Sequence, residues 1–200
     1  MCAKISHSYE YGYTAGKLAA DWLNTNCSAS QTVACALLTK PQSLAVIDRA
    51  NGIIEGLREN CTFAQIVATK PYSDQASARE MTEQMMREHP KIRCIVGVSD
   101  MSILGAYDAL EAMNLLNEEM CLVGIDASAP VLKKIQEGTV IRGSVSQDTK
   151  GFAEVTIHAA IAAIQGNPLP ESSIKIEAVT MENVAAYLQA EAASHSTPAS

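Results

Sequence analysis

The sequence lacks long apolar runs and has few basic residues. No apolar stretch reaches the roughly 18 residues of a membrane-spanning helix, and the first ten residues, MCAKISHSYE, lack the apolar core of a signal peptide. If the protein works outside the cytosol, we therefore expect its targeting segment to be missing from this chain. Fifteen Lys and Arg against 22 Asp and Glu give a net charge of −7. This balance argues against nucleic acid as a partner and leaves small polar ligands or proteins.

Motifs of metal, phosphate and nucleophile sites are also missing. The six cysteines form no Cys-x-x-Cys pair and no Cys/His cluster at metal-ligand spacing, and HExxH is absent, so we expect no metal and no cofactor. Neither GxGxxG nor GxxxxGK[ST] occurs, which excludes the usual phosphate-cradling loops. Ser99 follows Gly97 as in the first half of a hydrolase GxSxG elbow, but Met101 replaces the second glycine and no histidine is near in sequence.

Short apolar runs alternate with apolar residues at helical spacing along the chain. This alternation predicts a mostly parallel sheet covered by helices on both faces, a three-layer αβα doubly wound fold with flavodoxin-like strand order 2-1-3-4-5. We expect one lobe over residues 1–193 and a disordered tail over 194–200. The predicted strands are Val33–Leu38, Phe63–Ala68, Cys94–Val98, Met120–Ile125, Val140–Val145 and Ile174–Val179. The predicted helices are Tyr11–Leu23, Ala45–Leu57, Ser73 or Asp74 to Glu88, Ile103–Met113, Ser128 or Pro130 to Gly138, Lys150–Ile164 and Glu182–Ala193.

The cysteines fit two environments in this arrangement. Cys35, Cys94 and Cys121 lie in or at the start of apolar strands and are expected to be core residues. Cys27 and Cys61 fall near predicted helix ends and are expected to be loop thiols, with a disulfide as the alternative in an oxidising compartment.

Polar residues gather where the predicted strands end. Ligands bind outside the carboxyl ends of the strands in an open parallel sheet, at the point where the strand order reverses. Carboxylates and amides bond hydroxyl groups, and an arginine fork bonds two neighbouring oxygens, so these residues together suit a polyhydroxylated ligand. The candidate ligand-binding residues are Arg49, Ser73, Ser99, Asp100, Asp126 and Gln147.

Each candidate also has a purely structural interpretation. The two serines fit helix caps, Asp100 fits a first-turn acid stabilised by the helix dipole, and the others fit surface or loop positions. A phosphoacceptor receiver domain shares the predicted architecture and would use Asp100 or Asp126. However, the first strand ends in Thr39-Lys40-Pro41, without the acid pair that such a domain needs to hold a divalent cation.

The succession of motifs resembles periplasmic sugar-binding proteins of the ribose-binding type, over about residues 6–188. The motifs are SYEYGYTAGKLAADWL, DRANGIIEGL, VSDMSILGAYDALEAM, LVGIDASAPVLKKIQEGTVIRGSVSQDTKGFAEV and VTMENV. The resemblance implies a non-enzymatic protein of two α/β lobes that closes on a sugar in the periplasm or outside the cell. It also implies a membrane partner, the permease of an ATP-driven ABC importer. Lac-repressor-type regulators share the ligand-binding core, but they need a DNA-binding head that this chain lacks.

The resemblance also assigns roles to individual residues. Arg49, ahead of Gly52-Ile53, matches the family's ligand-binding arginine. Asp126 in GID matches its ligand aspartate, and Gln147 in VSQD matches its hinge-side glutamine.

This chain departs from the family pattern at several positions. Ser99-Asp100 replaces the usual Asn-Asp pair, His7 stands where an aspartate is common, and Ser73 stands where an aromatic residue stacks on the sugar. The family's N-terminal lobe has no counterpart here, so the helix in segment 148–168, which crosses the hinge in the family, has lost its neighbours. We therefore expect a bare apolar helix face, a homodimer or domain-swapped dimer, and weakened affinity, because half a cleft desolvates only one side of a ligand.

Overall fold

A computed structural model describes residues 7–168 and 175–195 of the chain. The predicted tail lies outside these residues from position 196 onward, whereas Ser194 and His195 belong to the last helix and not to the tail. In chain order the elements are α1 Ser8–Asn26, β1 Val33–Thr39, α2 Leu44–Asn60, β2 Ala64–Pro71, α3 Gln75–Glu88, β3 Ile92–Gly97, α4 Asp100–Ala112, β4 Cys121–Asp126, α5 Ala129–Gln136, β5 Ile141–Gln147, α6 Thr149–Ile164, β6 Ile176–Val179 and α7 Val184–His195.

The strands form one six-stranded sheet in the order β2-β1-β3-β4-β5-β6. The pairings from β2 to β5 are parallel and the β5–β6 pairing is antiparallel, which confirms the predicted fold class and the order 2-1-3-4-5. Leu38 aligns with Gly97, and Asp126 aligns with Ser146. The order reverses between β1 and β3, so the carboxyl ends of these strands border a crevice.

The central strands carry the core. Cys35, Cys94 and Cys121 are fully buried and aligned with one another across β1, β3 and β4, which confirms their predicted core positions. Cys27 is half-buried and Cys61 is 1% exposed, and both are free thiols. Cys61 is the C-cap residue of α2 and belongs to the core. The expectation of a loop thiol is therefore wrong for Cys61.

Helices α1 and α2 approach each other closely through glycines. A Cβ atom on Gly12 would collide with the carbonyl oxygen of Arg49, and one on Gly52 would collide with the carbonyl oxygen of Tyr9. The Tyr9 hydroxyl donates to the Glu55 carboxylate at 2.7 Å and adds a polar contact between the two helices. The glycine contacts fix α2 against α1 and thereby set the position of Arg49.

Helix α6 lies apart from the core. None of its residues whose side chains are described belongs to the core or packs against it. Ile157, Ile161 and Ile164 are 59%, 46% and 86% exposed, and segment 155–168 carries no Asp, Glu, Lys or Arg. The expected bare apolar face is therefore present. Among the described residues, no helix combines the length and hydropathy needed to cross a membrane.

Candidate functional site

Arg49 extends from α2 to the carboxyl edge of the sheet. Its Nη1 atom donates to the carbonyl oxygen of Val98 at 2.8 Å and lies 3.8 Å from Oδ1 of Asp126. Its Cζ atom is 5.8 Å from the centre of the Tyr11 ring, a cation–π contact. The side chain is 13% exposed, so Arg49 is not the surface charge of the purely structural interpretation.

The Nε atom of Arg49 is buried and has no hydrogen-bond partner. An unpaired buried donor costs free energy, because it loses water without gaining an acceptor. The guanidinium is therefore held at this edge at some cost to stability, as is common for residues that serve a site.

Asp126 ends β4 in a backbone conformation that side-chain-bearing residues rarely adopt. Its φ is 129° and that of Ala127 is 51°. The Asp126 carboxylate accepts from Nε2 of Gln147. Burial, and then the charge of Asp100, raise the pKa of Asp126 to about 6, while Arg49, the backbone amide of Asp100 and the hydrogen bond from Gln147 lower it.

Asp100 is buried beneath this edge, with 2% of its surface exposed. Its Oδ2 atom accepts from the backbone N–H of Ser128 at 2.6 Å and from the Ser128 hydroxyl at 2.8 Å. Its Oδ1 atom accepts from the Ser144 hydroxyl at 2.6 Å. Burial raises the pKa of Asp100, and these bonds oppose the shift. Both carboxylate oxygens are engaged inside the protein, which disfavours Asp100 as a phosphoacceptor.

Ser99 occupies the N-cap position of α4 but makes no side-chain capping bond. Its hydroxyl instead pairs with the Tyr72 hydroxyl at 2.7 Å. Tyr72 is 3% exposed, burial raises its pKa, and Nζ of Lys40 lies 4.9 Å from the centre of its ring. Tyr72 is a site residue that the sequence reasoning missed. The available signal was an aromatic residue one position before Ser73, where the family pattern placed one.

Ser73 takes part in a different arrangement. Its hydroxyl lies 3.2 Å from the Asp74 carboxylate and 3.1 Å from the Ser77 hydroxyl. Asp74 caps α3 by accepting from the backbone N–H of Ser77 at 2.8 Å, which decides between the two predicted caps. The structure thus brings Arg49, Asp126 and Gln147 together, with Ser99 and Asp100 beside them, and leaves Ser73 in the capping turn of α3.

The described residues contain no candidate metal site. Over residues 7–168 and 175–195, no three His, Cys, Asp or Glu side chains are grouped so that they could hold a metal ion.

The switch point of this doubly wound sheet carries an arginine, a carboxylate and an amide, at the position where open α/β sheets bind ligands. Residues 6–168 match the family model described as periplasmic binding protein domain, and the chain belongs to that family. The family resemblance expected from the order of motifs is thereby confirmed. A search of curated proteins finds no match.

Solved structures of solute-binding proteins share the fold. An ABC transporter periplasmic solute-binding protein from Actinobacillus succinogenes with bound D-allose has 20% identity and a TM-score of 0.79 over 90% of this chain. An ABC transporter solute-binding protein from Bacillus halodurans with bound myo-inositol has 27% identity and a TM-score of 0.78 over 91%. A Mycobacterium smegmatis structure in complex with β-D-fucofuranose has 23% identity and a TM-score of 0.81 over 94%.

The lengths of these proteins differ from that of this chain. The match covers 62%, 61% and 62% of the three solved chains, respectively. The remainder of each has no counterpart here.

Proposed function

We propose that this chain is one lobe of a solute-binding protein of an ABC-type importer, and that it binds a carbohydrate or similar small polar ligand at the carboxyl edge of its sheet. The observation that carries the proposal is the meeting of Arg49, Asp126 and Gln147 at the switch point. In α/β folds of this kind that position is where ligands bind.

The three side chains have complementary roles. The Asp126 carboxylate accepts hydrogen bonds from hydroxyl groups, the Gln147 amide both donates and accepts, and the Arg49 guanidinium donates to neighbouring oxygens. Asp126 and Gln147 lie within hydrogen-bond distance of each other, so adjacent hydroxyl groups of one ligand can reach both. Arg49 borders the same carboxylate at 3.8 Å.

The structural neighbours support a polyhydroxylated, uncharged ligand. They hold bound D-allose, myo-inositol and β-D-fucofuranose, respectively. The family match supports a periplasmic or extracellular location and a membrane permease as partner, and it supports binding without catalysis. Ser99 fits that assignment, because its hydroxyl pairs with a tyrosine and not with a histidine base.

We further propose that the chain is a C-terminal-lobe fragment of a two-lobed architecture. The match to about three fifths of each solved chain supports this, and so does the exposed apolar face of α6. In the isolated chain a second copy covers that face. The net charge of −7 does not oppose this contact locally, because segment 155–168 carries no Asp, Glu, Lys or Arg.

A thermal-shift panel tests the binding proposal. D-Allose, D-ribose, D-galactose and myo-inositol are titrated against the wild-type chain, Asp126→Ala and the control Asp108→Ala. Asp108 is a half-buried acid on α4 whose carboxylate accepts from Gln75 and not from a site residue. At least one of these molecules is expected to raise the midpoint of wild type and control but not of Asp126→Ala. If no molecule of the panel raises the unfolding midpoint of the wild-type chain, and a complete two-lobed protein gives the same result, the proposal is contradicted.

A further inference from the structure

Asp100 is a buried carboxylate whose bonds converge on one turn of the chain. The turn between β4 and α5 comprises Ala127 and Ser128 and directly follows Asp126, the last residue of β4; Asp100 starts the neighbouring helix α4. We propose that Asp100 is a positioning residue whose carboxylate holds this turn in the conformation that presents Asp126. The value of presenting Asp126 rests on the proposed function, whereas the positioning itself does not.

Two consecutive backbone amides of the turn are attached to Asp100. The N–H of Ser128 donates directly to Oδ2 at 2.6 Å. The N–H of Ala127 donates to the Ser144 hydroxyl at 3.0 Å, and that hydroxyl donates to Oδ1 of Asp100 at 2.6 Å. All three donors to the carboxylate are N–H or O–H groups, an arrangement that suits the ionised form.

The turn needs such attachments because its backbone is strained. Asp126 and Ala127 both have positive φ, at 129° and 51°, and neither is glycine. A strained backbone conformation of this kind persists only where contacts with the surrounding structure hold it in place. The N–H groups of the two residues after Asp126 bind Ser144 and Asp100, and the carbonyl oxygen of Ser128 accepts from the N–H of Leu132 at 2.9 Å.

Strand β4 leaves room for the buried carboxylate, because a Cβ atom on Gly124 would collide with Oδ1 of Asp100. Gly124 therefore leaves the space that the Asp100 side chain occupies. Asp126, two positions later, bears the carboxylate that Asp100 positions.

Asp100 also sets the electrostatic environment of Asp126. The charged or titratable groups facing Asp126 are Arg49, Asp100 and the Tyr72 hydroxyl. The Asp100 charge raises the pKa of Asp126 and Arg49 lowers it. Removing the charge while keeping the side-chain shape, as in Asp100→Asn, is therefore expected to lower the pKa of Asp126 below about 6.

NMR on the unliganded chain tests the proposal. Amide hydrogen exchange and the Cγ titration of Asp126 are compared in wild type, Asp100→Ala, Asp100→Asn and the control Asp108→Asn on α4. In Asp100→Ala, exchange of the Ala127 and Ser128 amides is expected to rise about tenfold or more. The Leu122 amide, which donates to Val140 in the neighbouring strand, keeps its protection. Asp100→Asn, which retains an acceptor for Ser128, loses less protection and shifts the Asp126 midpoint downward.

Two outcomes overturn the proposal. In the first, Asp100→Ala leaves the exchange of both turn amides at the wild-type rate. In the second, Asp100→Asn leaves the Asp126 midpoint at its wild-type value. If Asp100→Ala loses Leu122 protection and so unfolds, Asp100→Asn decides through the same two readouts. No sugar is present in these measurements, so failure of the ligand panel and failure of the positioning role are distinguishable.

Discussion

The Nη1 atom of Arg49 donates a 2.8 Å hydrogen bond to the carbonyl oxygen of Val98, which joins the middle of α2 to the end of β3. The same atom lies 3.8 Å from Asp126 at the end of β4. One side chain thus links three elements that border the switch point. Because Arg49 contacts a carbonyl oxygen and a carboxylate in a largely buried position, its replacement affects both folding and the charge state of the site.

Arg49→Met tests that link. The substitution keeps the apolar stem but leaves the Val98 carbonyl oxygen without this donor, so we expect a loss of about 1–3 kcal/mol in the free energy of unfolding. The pKa of Asp126 should also rise above about 6, because Arg49 lowers it. Urea denaturation and an NMR titration measure the two effects. Arg58→Met, on the exposed part of the same helix, should stay within about 0.5 kcal/mol of wild type. Equal stability of the two variants contradicts the link.

The pH dependence of stability tests the environment of Asp126. Its folded-state pKa of about 6 lies above the ordinary 3.8, so the folded chain binds this proton more tightly than the unfolded chain. The contribution of Asp126 is therefore fully present below about pH 4 and is lost as the pH rises towards about 6. Asp126→Asn should remove this loss. Denaturation of both proteins between pH 4 and 7.5 should show wild type losing stability relative to the variant over that window; parallel curves contradict the assignment.

Gly12→Ala tests the close contact of α1 and α2. The new Cβ atom would collide with the Arg49 carbonyl oxygen, so the helices must separate, and we expect a loss of about 1–3 kcal/mol. Lys17→Ala is the matched control on α1, since its ion pair with Asp21 is exposed and contributes little. Urea denaturation of both variants provides the comparison. Unchanged stability of Gly12→Ala contradicts the close contact between α1 and α2.

Ile161→Glu combined with Ile164→Glu tests the exposed face of α6. We expect the wild-type chain to form dimers whose proportion rises with concentration, and the double variant to stay monomeric with an unchanged unfolding midpoint. Sedimentation equilibrium measures the first effect and thermal denaturation the second. Ile47→Glu, at a 38% exposed isoleucine on α2, should dimerise as wild type does. A wild-type chain that is monomeric at all concentrations refutes the dimer.

The sequence patterns predicted the fold because helix and strand periodicities are local. The apolar strands through Cys94 and Cys121, and the helices between them, follow from spacing alone. Polar residues near the strand ends gave Arg49, Asp126 and Gln147 as candidates, the family motifs assigned them roles, and the structure brings them together. The antiparallel direction of β6 was not among the predictions, because strand direction depends on the path of the connection and not on residue spacing.

The roles of other residues depended on distant contacts. Asp100 fits a first-turn acid or a ligand-binding residue in the sequence, but its partners Ser128 and Ser144 lie 28 and 44 positions away. Tyr72 is buried through its pairing with Ser99, 27 positions later, while Ser73 beside it remains in the α3 cap. Burial and pairing of this kind become visible only when the strands are assembled.

Isothermal titration calorimetry tests the central claim most directly. The wild-type chain, Asp126→Ala, Gln147→Ala and the control Asp108→Ala are titrated with the sugar or polyol that gives the largest thermal shift. We expect saturable binding by wild type and control, and a loss of about tenfold or more in affinity for each site variant, because each loses a polar contact to the ligand. Unchanged affinity in both Asp126→Ala and Gln147→Ala would place the ligand elsewhere and contradict the account.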